Sequence, residues 1–396
     1  MLKVLWLTSV YPSEAKPGEG VFHETQVQAL KMHGIDVSVI CPFPVNPAPL
    51  RVFKKKYRQS RPPDHQERKG ITIYRPPYMA LPGQLKWAQP HHRVAKSVLQ
   101  TMTKNRLNPD LIHAHFAMPS GGAGAVVSTK LEKPYVLTLH GSDVNIYPHY
   151  SKSAFQAFKT AVQSASAVLA VSEVLQQKTR EMIRIDSSVL PIGVSLDHFQ
   201  KPAVSKDQLR EKLNLPKGKR LITFVGRLVK EKGVRELAEA VSQLDDRYVA
   251  VFIGDGPEKQ VIHQTAGRKV LLLGQIANQH ISEYLTASDL FVLPSYSEGM
   301  PTVVIEALAL KIPVLCTAVG GVPSLFGKYQ DLLIKPRSAP ALKEAIFNYT
   351  EGGIWRKEMT EELYHKVCSQ YNARQNAETL IKRYEGVIRK NHRLKQ

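Results

Sequence analysis

Residues 221–237 read LITFVGRLVKEKGVREL. An apolar run ends at Gly226, and Arg227 and Lys232 fall in the loop and at the start of the next helical pattern. A strand, a short charged loop and a helix form the repeating unit of a parallel sheet covered by helices. The same unit recurs downstream, with strand-like runs YVAVFIG, KVLLLG, LFVLPS, PVLCT and LLIKP. Upstream the runs are KVLWLTS, DVSVICP, LIHAH, YVLTLH, AVLAVS and SSVLPI, with amphipathic stretches such as FHETQVQALKMHG and HHRVAKSVLQTMTK between them. The two series are separated by the polar, proline-bearing QKPAVSKDQLREKLNLPKGKR, which places a domain boundary near residue 200. The prediction is α/β, with two domains and a cleft between them. Ligands of open α/β sheets sit beyond the carboxyl ends of the strands, so the chemistry is expected in the loops that follow strands.

The 396-residue length agrees with two cores rather than one. The formal net charge is +20, which favours an anionic partner: nucleic acid, an anionic membrane surface or a phosphate-bearing substrate. The N-terminus MLKVLWLTSVYP reads as a first strand rather than a leader, and no apolar run approaches the roughly 18 residues of a membrane span. Three widely spaced cysteines fit a reducing cytosol and neither a disulfide framework nor a zinc site. Residues 51–70, RVFKKKYRQSRPPDHQERKG, break the rhythm. They read either as a solvated surface loop or as a patch that meets anionic lipid. The basic C-terminal stretch RYEGVIRKNHRLKQ reads as a helix with the same two possibilities.

In SEGMPTVVIEALA, residues 297–309, Glu298 lies in a loop and Glu306 within a helix that begins near Pro301. The amides of Gly299 and Met300 lead into that helix and could carry a phosphate. Two carboxylates beside a phosphate repel it unless they take hydroxyl donors, and ionised Glu is acceptor-only. A ligand with hydroxyl-bearing rings on both sides of a diphosphate, such as a nucleotide-sugar, has that layout. The plain alternative is that Glu298 caps the helix and Glu306 is exposed. Arg227 and Lys232 could clamp the diphosphate as a leaving group, or could belong to an ordinary charged turn. In KPGEGVFHETQ, Gly18 and Gly20 permit close backbone approach to a ligand, but there is no GxGxxG fingerprint and so no dinucleotide cofactor. His113, His115 and His140 end strands. His140, before Gly141 and near Asp143, is the best placed for an active-site role. No ordered set of carboxylates or thiolates accompanies these histidines, so no metal and no cofactor is expected.

Taken together, PSYSEGMPTVVIEALA followed by PVLCTAVGGVP, with VGRLVKEKG and IGDGPE before it, resembles the retaining glycosyltransferases of family 4. The resemblance covers essentially the whole chain. It implies two facing Rossmann-like domains, the GT-B fold: an acceptor-binding domain over 1–200, a nucleotide-sugar-binding domain over 201–372, and a helix over 373–396 that packs back on the first domain. It implies that Glu298 contacts hydroxyls of the transferred sugar and Glu306 the ribose. Gly299, Met300, Arg227 and Lys232 would hold the diphosphate, and Gly18 and Gly20 would line the cleft. His140 would lie beside the donor sugar, and the segment around Gln275 and Ile276 would meet the base. The implied reaction is metal-independent transfer from a UDP-sugar to a lipid-linked saccharide at the inner face of the membrane, with no nucleic acid partner. At the domain junction many relatives carry Asn-Gly-Val-Asp, whereas this chain has Ile192, Gly193, Val194 and Ser195, so the Asn and Asp side chains of that turn and any role they play have no counterpart here. Two other readings stay open: a UDP-sugar 2-epimerase on the same scaffold, and a non-catalytic subunit that binds nucleotide-sugar.

Overall fold

Fifteen strands are assigned in the computed structural model, which describes residues 1–47, 62–200 and 203–393. The chain divides into two units, residues 1–191 with 374–396, and residues 192–373.

The first unit is built on strands β1 (Lys3–Leu7), β2 (Asp36–Ile40), β3 (Phe43–Val45), β4 (His65–Arg68), β5 (Ile71–Tyr74), β6 (Pro77–Met79), β7 (Leu111–His115), β8 (Tyr135–Leu139), β9 (Ala167–Ala170) and β10 (Ser188–Val189). Eight of them form one sheet in the order β10-β9-β8-β7-β1-β2-β5-β4, while β3 and β6 pair separately. Every pairing in the large sheet is parallel except β4 with β5. The central strands KVLWL, LIHAH and YVLTL are near-continuously buried, as parallel strands covered on both faces require. Burial of Trp6, Leu7, Leu137 and Tyr135 anchors this core, at about 1.5–3 kcal/mol for each large apolar side chain.

The long helix Ala373–Arg393 belongs to this unit although it lies at the far end of the sequence. It is held by a buried polar tie. His113 Nδ1 meets the Tyr384 hydroxyl at 2.6 Å, and His113 Nε2 meets Thr138 Oγ1 at 2.7 Å.

The second unit carries a five-stranded parallel sheet in the order β13-β12-β11-β14-β15, with β11 (Arg220–Val225), β12 (Tyr248–Ile253), β13 (Val270–Gly274), β14 (Leu290–Leu293) and β15 (Val314–Cys316). The chain runs outward from β11 through β12 to β13, then returns to add β14 on the other side. The reversal lies between β11 and β14, and such switch points open a crevice at the carboxyl edge.

Three expectations need adjustment. LLIKP contributes only an isolated bridge, Thr317 with Ile334. Of the basic segment 51–70, residues 51–61 lie outside the described residues. Its remainder includes strand β4 rather than loop alone, and Arg68 and Lys69 both pair with the buried carboxylate of Glu24. Strand β5 is also an addition to the expected strands, its short ITIY run being shared between a hairpin and the parallel sheet. Among the described residues no helix is long and apolar enough to cross a membrane.

Candidate active site

In the second unit, three loops after strands are stitched together by close backbone contacts. The loop after β11 reaches Gly233, whose φ is +68° and whose added Cβ would lie 2.0 Å from the Pro294 carbonyl oxygen. Only glycine fits there, so the β11 loop lies directly on the start of the β14 loop. The Tyr296 amide then donates to the Glu231 carbonyl at 2.8 Å. The β12 loop joins through Leu228 N to Asp255 O, 2.9 Å, and Glu258 N to Leu228 O, 3.0 Å. The VGGV turn closes the other side, with Gly321 N donating to Gly299 O at 2.8 Å.

This scaffold brings Lys232 and Glu298 together. The Lys232 ammonium donates to Glu298 Oε1 at 2.5 Å. An ammonium has three donors, so the pair fixes the lysine rotamer and leaves N–H groups for a further anion. Arg227, on the same loop, is exposed. Gly299 is half-buried and Met300 is buried, immediately before the helix Thr302–Ala309. Pro301 stands at the N-cap, one position outside that helix rather than within its first turn, and no side chain caps it.

The plain alternative for the glutamates therefore fails on both counts: Glu298 does not cap the helix, and Glu306 is only 8% exposed. Burial pushes the Glu306 carboxyl up to about 7, against a hydrogen bond from Thr302 that favours the charged form. When ionised, this carboxylate has acceptor capacity beyond the Thr302 bond that hydroxyl donors could take. Ile276 lies half-buried and Gln275 exposed in the loop after β13.

In the first unit, His140 follows β8 and is buried. The Asp143 carboxylate accepts from the amides of His140, Gly141 and Ala117, at 3.0, 2.7 and 3.1 Å. Asp143 is thus a fastener of the turn, a role that sequence proximity alone did not assign. Burial raises its carboxyl, and the amide bonds oppose that rise. Gly20, at φ +74°, precedes helix Val21–Met32, and an added Cβ would press on Val10 and Tyr11 backbone at 3.0 Å. Gly18 has open space around it.

The structure also gathers three histidines that the sequence kept apart. His23, His115 and His140 are buried with one ligand atom each within 4.8 Å of the others. No sequence motif marks His23, which sits on the helix Val21–Met32. His115 Nδ1 and His140 Nε2 are 3.0 Å apart, so one carries the proton and the other accepts it. In neutral rings that bond leaves a lone pair on the far nitrogen of only one of the two. While it stands, the cluster offers a metal at most two imidazole lone pairs, short of the three or four of a zinc site. Burial holds His113 and His140 down to about 3, and His23 and His115 well below their usual range.

Two sequence families match the chain, Glycosyltransferase Family 4 over residues 18–198 and Glycosyl transferases group 1 over residues 205–366. A relative from Bacillus subtilis (strain 168) that carries the name teichuronic acid biosynthesis glycosyltransferase TuaC is 58% identical over 389 residues, covering 98% of this chain and 99% of its own. The chain belongs to the family 4 glycosyltransferases. Solved glycosyltransferases share the fold. Sucrose-phosphate synthase from Thermosynechococcus elongatus superposes with a TM-score of 0.80 at 20% identity, covering 98% of this chain and 99% of that one. Anabaena HepE in complex with UDP-glucose gives 0.71 at 20% identity, covering 96% of this chain and all of the other. The two Rossmann-like units are thus those of a GT-B glycosyltransferase. The junction of this family 4 chain is built from backbone: Val194 N donates to Tyr371 O at 2.8 Å and Ala373 N to Val194 O at 3.0 Å. An added Cβ on Gly193 would lie 2.5 Å from Ala373 Cα. The turn thus keeps its glycine, and these bonds ask nothing of side chains at Ile192 and Ser195.

Proposed function

We propose that the protein is a retaining glycosyltransferase that moves a sugar from a UDP-sugar to a lipid-linked saccharide during synthesis of a teichuronic acid-like wall polymer. The Lys232–Glu298 pair at the sheet's switch point, with Glu306 buried further along the same loop–helix segment, carries the reading. In this reading Glu298 takes hydroxyls of the transferred sugar and Glu306 those of the ribose. Lys232, Arg227 and the amides of Gly299 and Met300 hold the diphosphate. Ile276 and its neighbour Gln275 meet the base. The second unit binds the donor and the first the acceptor; of the first unit's residues, Gly18 and Gly20 serve the diphosphate and acceptor, and His140 serves the transferred sugar.

The bond between the anomeric carbon and the diphosphate oxygen breaks as the acceptor oxygen bonds to the same face. The acceptor proton passes to the departing phosphate oxygen, and no protein nucleophile intervenes. Cations and helix-terminal amides preorganised on the leaving group supply the positive field, so no metal is required. The relative named for teichuronic acid biosynthesis supports the polymer class, and the UDP-glucose complex of a protein with the same fold supports the donor class. A lipid-held acceptor places the enzyme at the inner membrane face.

The test is turnover of a panel of UDP-sugars, including glucuronate and N-acetylhexosamine forms, with and without a polyprenyl-diphosphate saccharide. Consumption of one donor only with acceptor, lost in Glu298→Ala while UDP still binds, supports the reading. Conversion of donor to an epimer without acceptor refutes it, and UDP binding without any turnover points to a binding subunit.

A further inference from the structure

Two stretches of the first unit, residues 76–109 and 144–172, contain no acidic residue, although the chain has 34 in all. Both are basic, and the structure packs them side by side. Gln89 Nε2 donates to Ser153 Oγ at 3.3 Å, the Tyr147 hydroxyl donates to Gln89, and Lys86 Nζ sits 5.7 Å over the Tyr150 ring. Two short turns, Gln84–Lys86 and Tyr147–His149, lie in this region. Large apolar side chains stand in solvent beside them: Trp87 is 59% exposed, Ile146 44% and Tyr150 43%. Lys86, His149 and Lys152 surround them and are exposed as well.

Exposed Trp and Ile gain nothing in water, whereas Trp and Tyr favour the headgroup region of a bilayer. Cations around such side chains add attraction to anionic lipid. A nucleic acid strand would instead call for a run of aromatic platforms along a basic groove. Here two exposed aromatics and an isoleucine flank two short turns.

We propose that the Trp87–Tyr150 patch is the surface through which this protein seats on an anionic lipid bilayer. It deepens the reading of a membrane-side acceptor and rests on it for its purpose, though its grounds are these side chains alone. The patch lies wholly within the first unit.

The experiment uses the full chain and vesicles of phosphatidylcholine with or without phosphatidylglycerol. Trp6 is fully buried and Trp355 partly so, which makes Trp87 the exposed reporter of the three tryptophans. The expected result is co-sedimentation with phosphatidylglycerol vesicles and a blue shift of emission, both reduced by salt and absent with phosphatidylcholine alone. The double variants Trp87→Ser/Tyr150→Ser and Lys86→Glu/Lys152→Glu each weaken vesicle binding at least tenfold while keeping the circular dichroism spectrum of the parent. Equal vesicle binding by parent and both variants overturns the proposal, as does failure of the parent to bind. Retention of a single-stranded RNA oligonucleotide by this patch, without vesicle binding, overturns it in favour of the other anionic polymer. The vesicle assay contains no sugar donor, so its outcome is independent of whether the transfer reading succeeds.

Discussion

Lys232 and Glu298 are 66 residues apart in sequence and joined by a 2.5 Å hydrogen-bonded ion pair. They meet because β11 and β14, whose loops carry them, are neighbours in the sheet. Glu298 is largely shielded and Lys232 partly so, which makes the contact less screened than an ordinary surface pair. In the reading proposed above, the pair holds the lysine in place before a diphosphate arrives, so little reorganisation would accompany charge development on the leaving group.

Removing the ammonium is therefore expected to act on the chemical step. Lys232→Ala should lower kcat by about 10²-fold or more, with a smaller change in donor KM. Lys232→Arg should recover part of the loss. Steady-state kinetics with saturating acceptor checks this, and an unchanged kcat in Lys232→Ala removes the residue from leaving-group stabilisation.

Glu306 gives a stability signature with a definite sign. Its carboxyl lies near 4.5 when unperturbed and is raised to about 7 in the fold. Between those values the native state binds the proton and the unfolded chain does not, so this group's contribution falls as pH rises from about 4.5 to 7. Glu306→Gln, which cannot ionise, should gain about 2–3 kcal/mol relative to the parent between pH 4.5 and pH 8. Denaturant unfolding at the two pH values measures it. The same variant should bind UDP-sugar more weakly at pH 8, where the parent presents an ionised acceptor.

Gly320 tests the backbone clamp on Glu298. Its φ is +57°, and an added Cβ would lie 2.0 Å from the Glu298 carbonyl oxygen. Gly320→Ala should cost about 1–3 kcal/mol in backbone strain alone and should also displace Glu298, lowering kcat. Gly218, at φ +70° with nothing within 4 Å of its added Cβ, is the control. Gly218→Ala should show a strain cost with no loss of kcat. Equal kinetics in the two variants would discount the clamp.

The buried histidines of the first unit predict acid sensitivity of the opposite sign. His23, His113, His115 and His140 stay neutral in the fold well below 6.5, while the unfolded chain takes up protons there. Stability is full above about 6.5 and is lost as pH falls toward the depressed folded values. Unfolding midpoints at pH 7.5, 6 and 5 should fall in that order. His115→Gln should flatten the slope.

Much of the architecture was legible because its signals are local. The apolar run ending at Gly226, the helical spacing of HHRVAKSVLQTMTK and the turn before Thr302 depend on neighbours within a few residues. Short or shared elements escaped, such as the ITIY strand, which two different partners hold in the sheet. The loops that follow strands were legible too, since strand ends can be read from the chain.

What the sequence determined by itself is which side chains this protein offers and on which kind of element each one stands: Lys232 after a strand, Glu298 in a loop, Glu306 on a helix. The tertiary structure alone decided what surrounds them. Strand order made Lys232 and Glu298 partners, burial turned Glu306 from an ordinary surface acid into a strongly raised one, and the sheet gathered His23 with His115 and His140. The physical reason is that periodicity and turn chemistry act over a few residues, whereas desolvation and charge pairing depend on atoms brought close from distant parts of the chain.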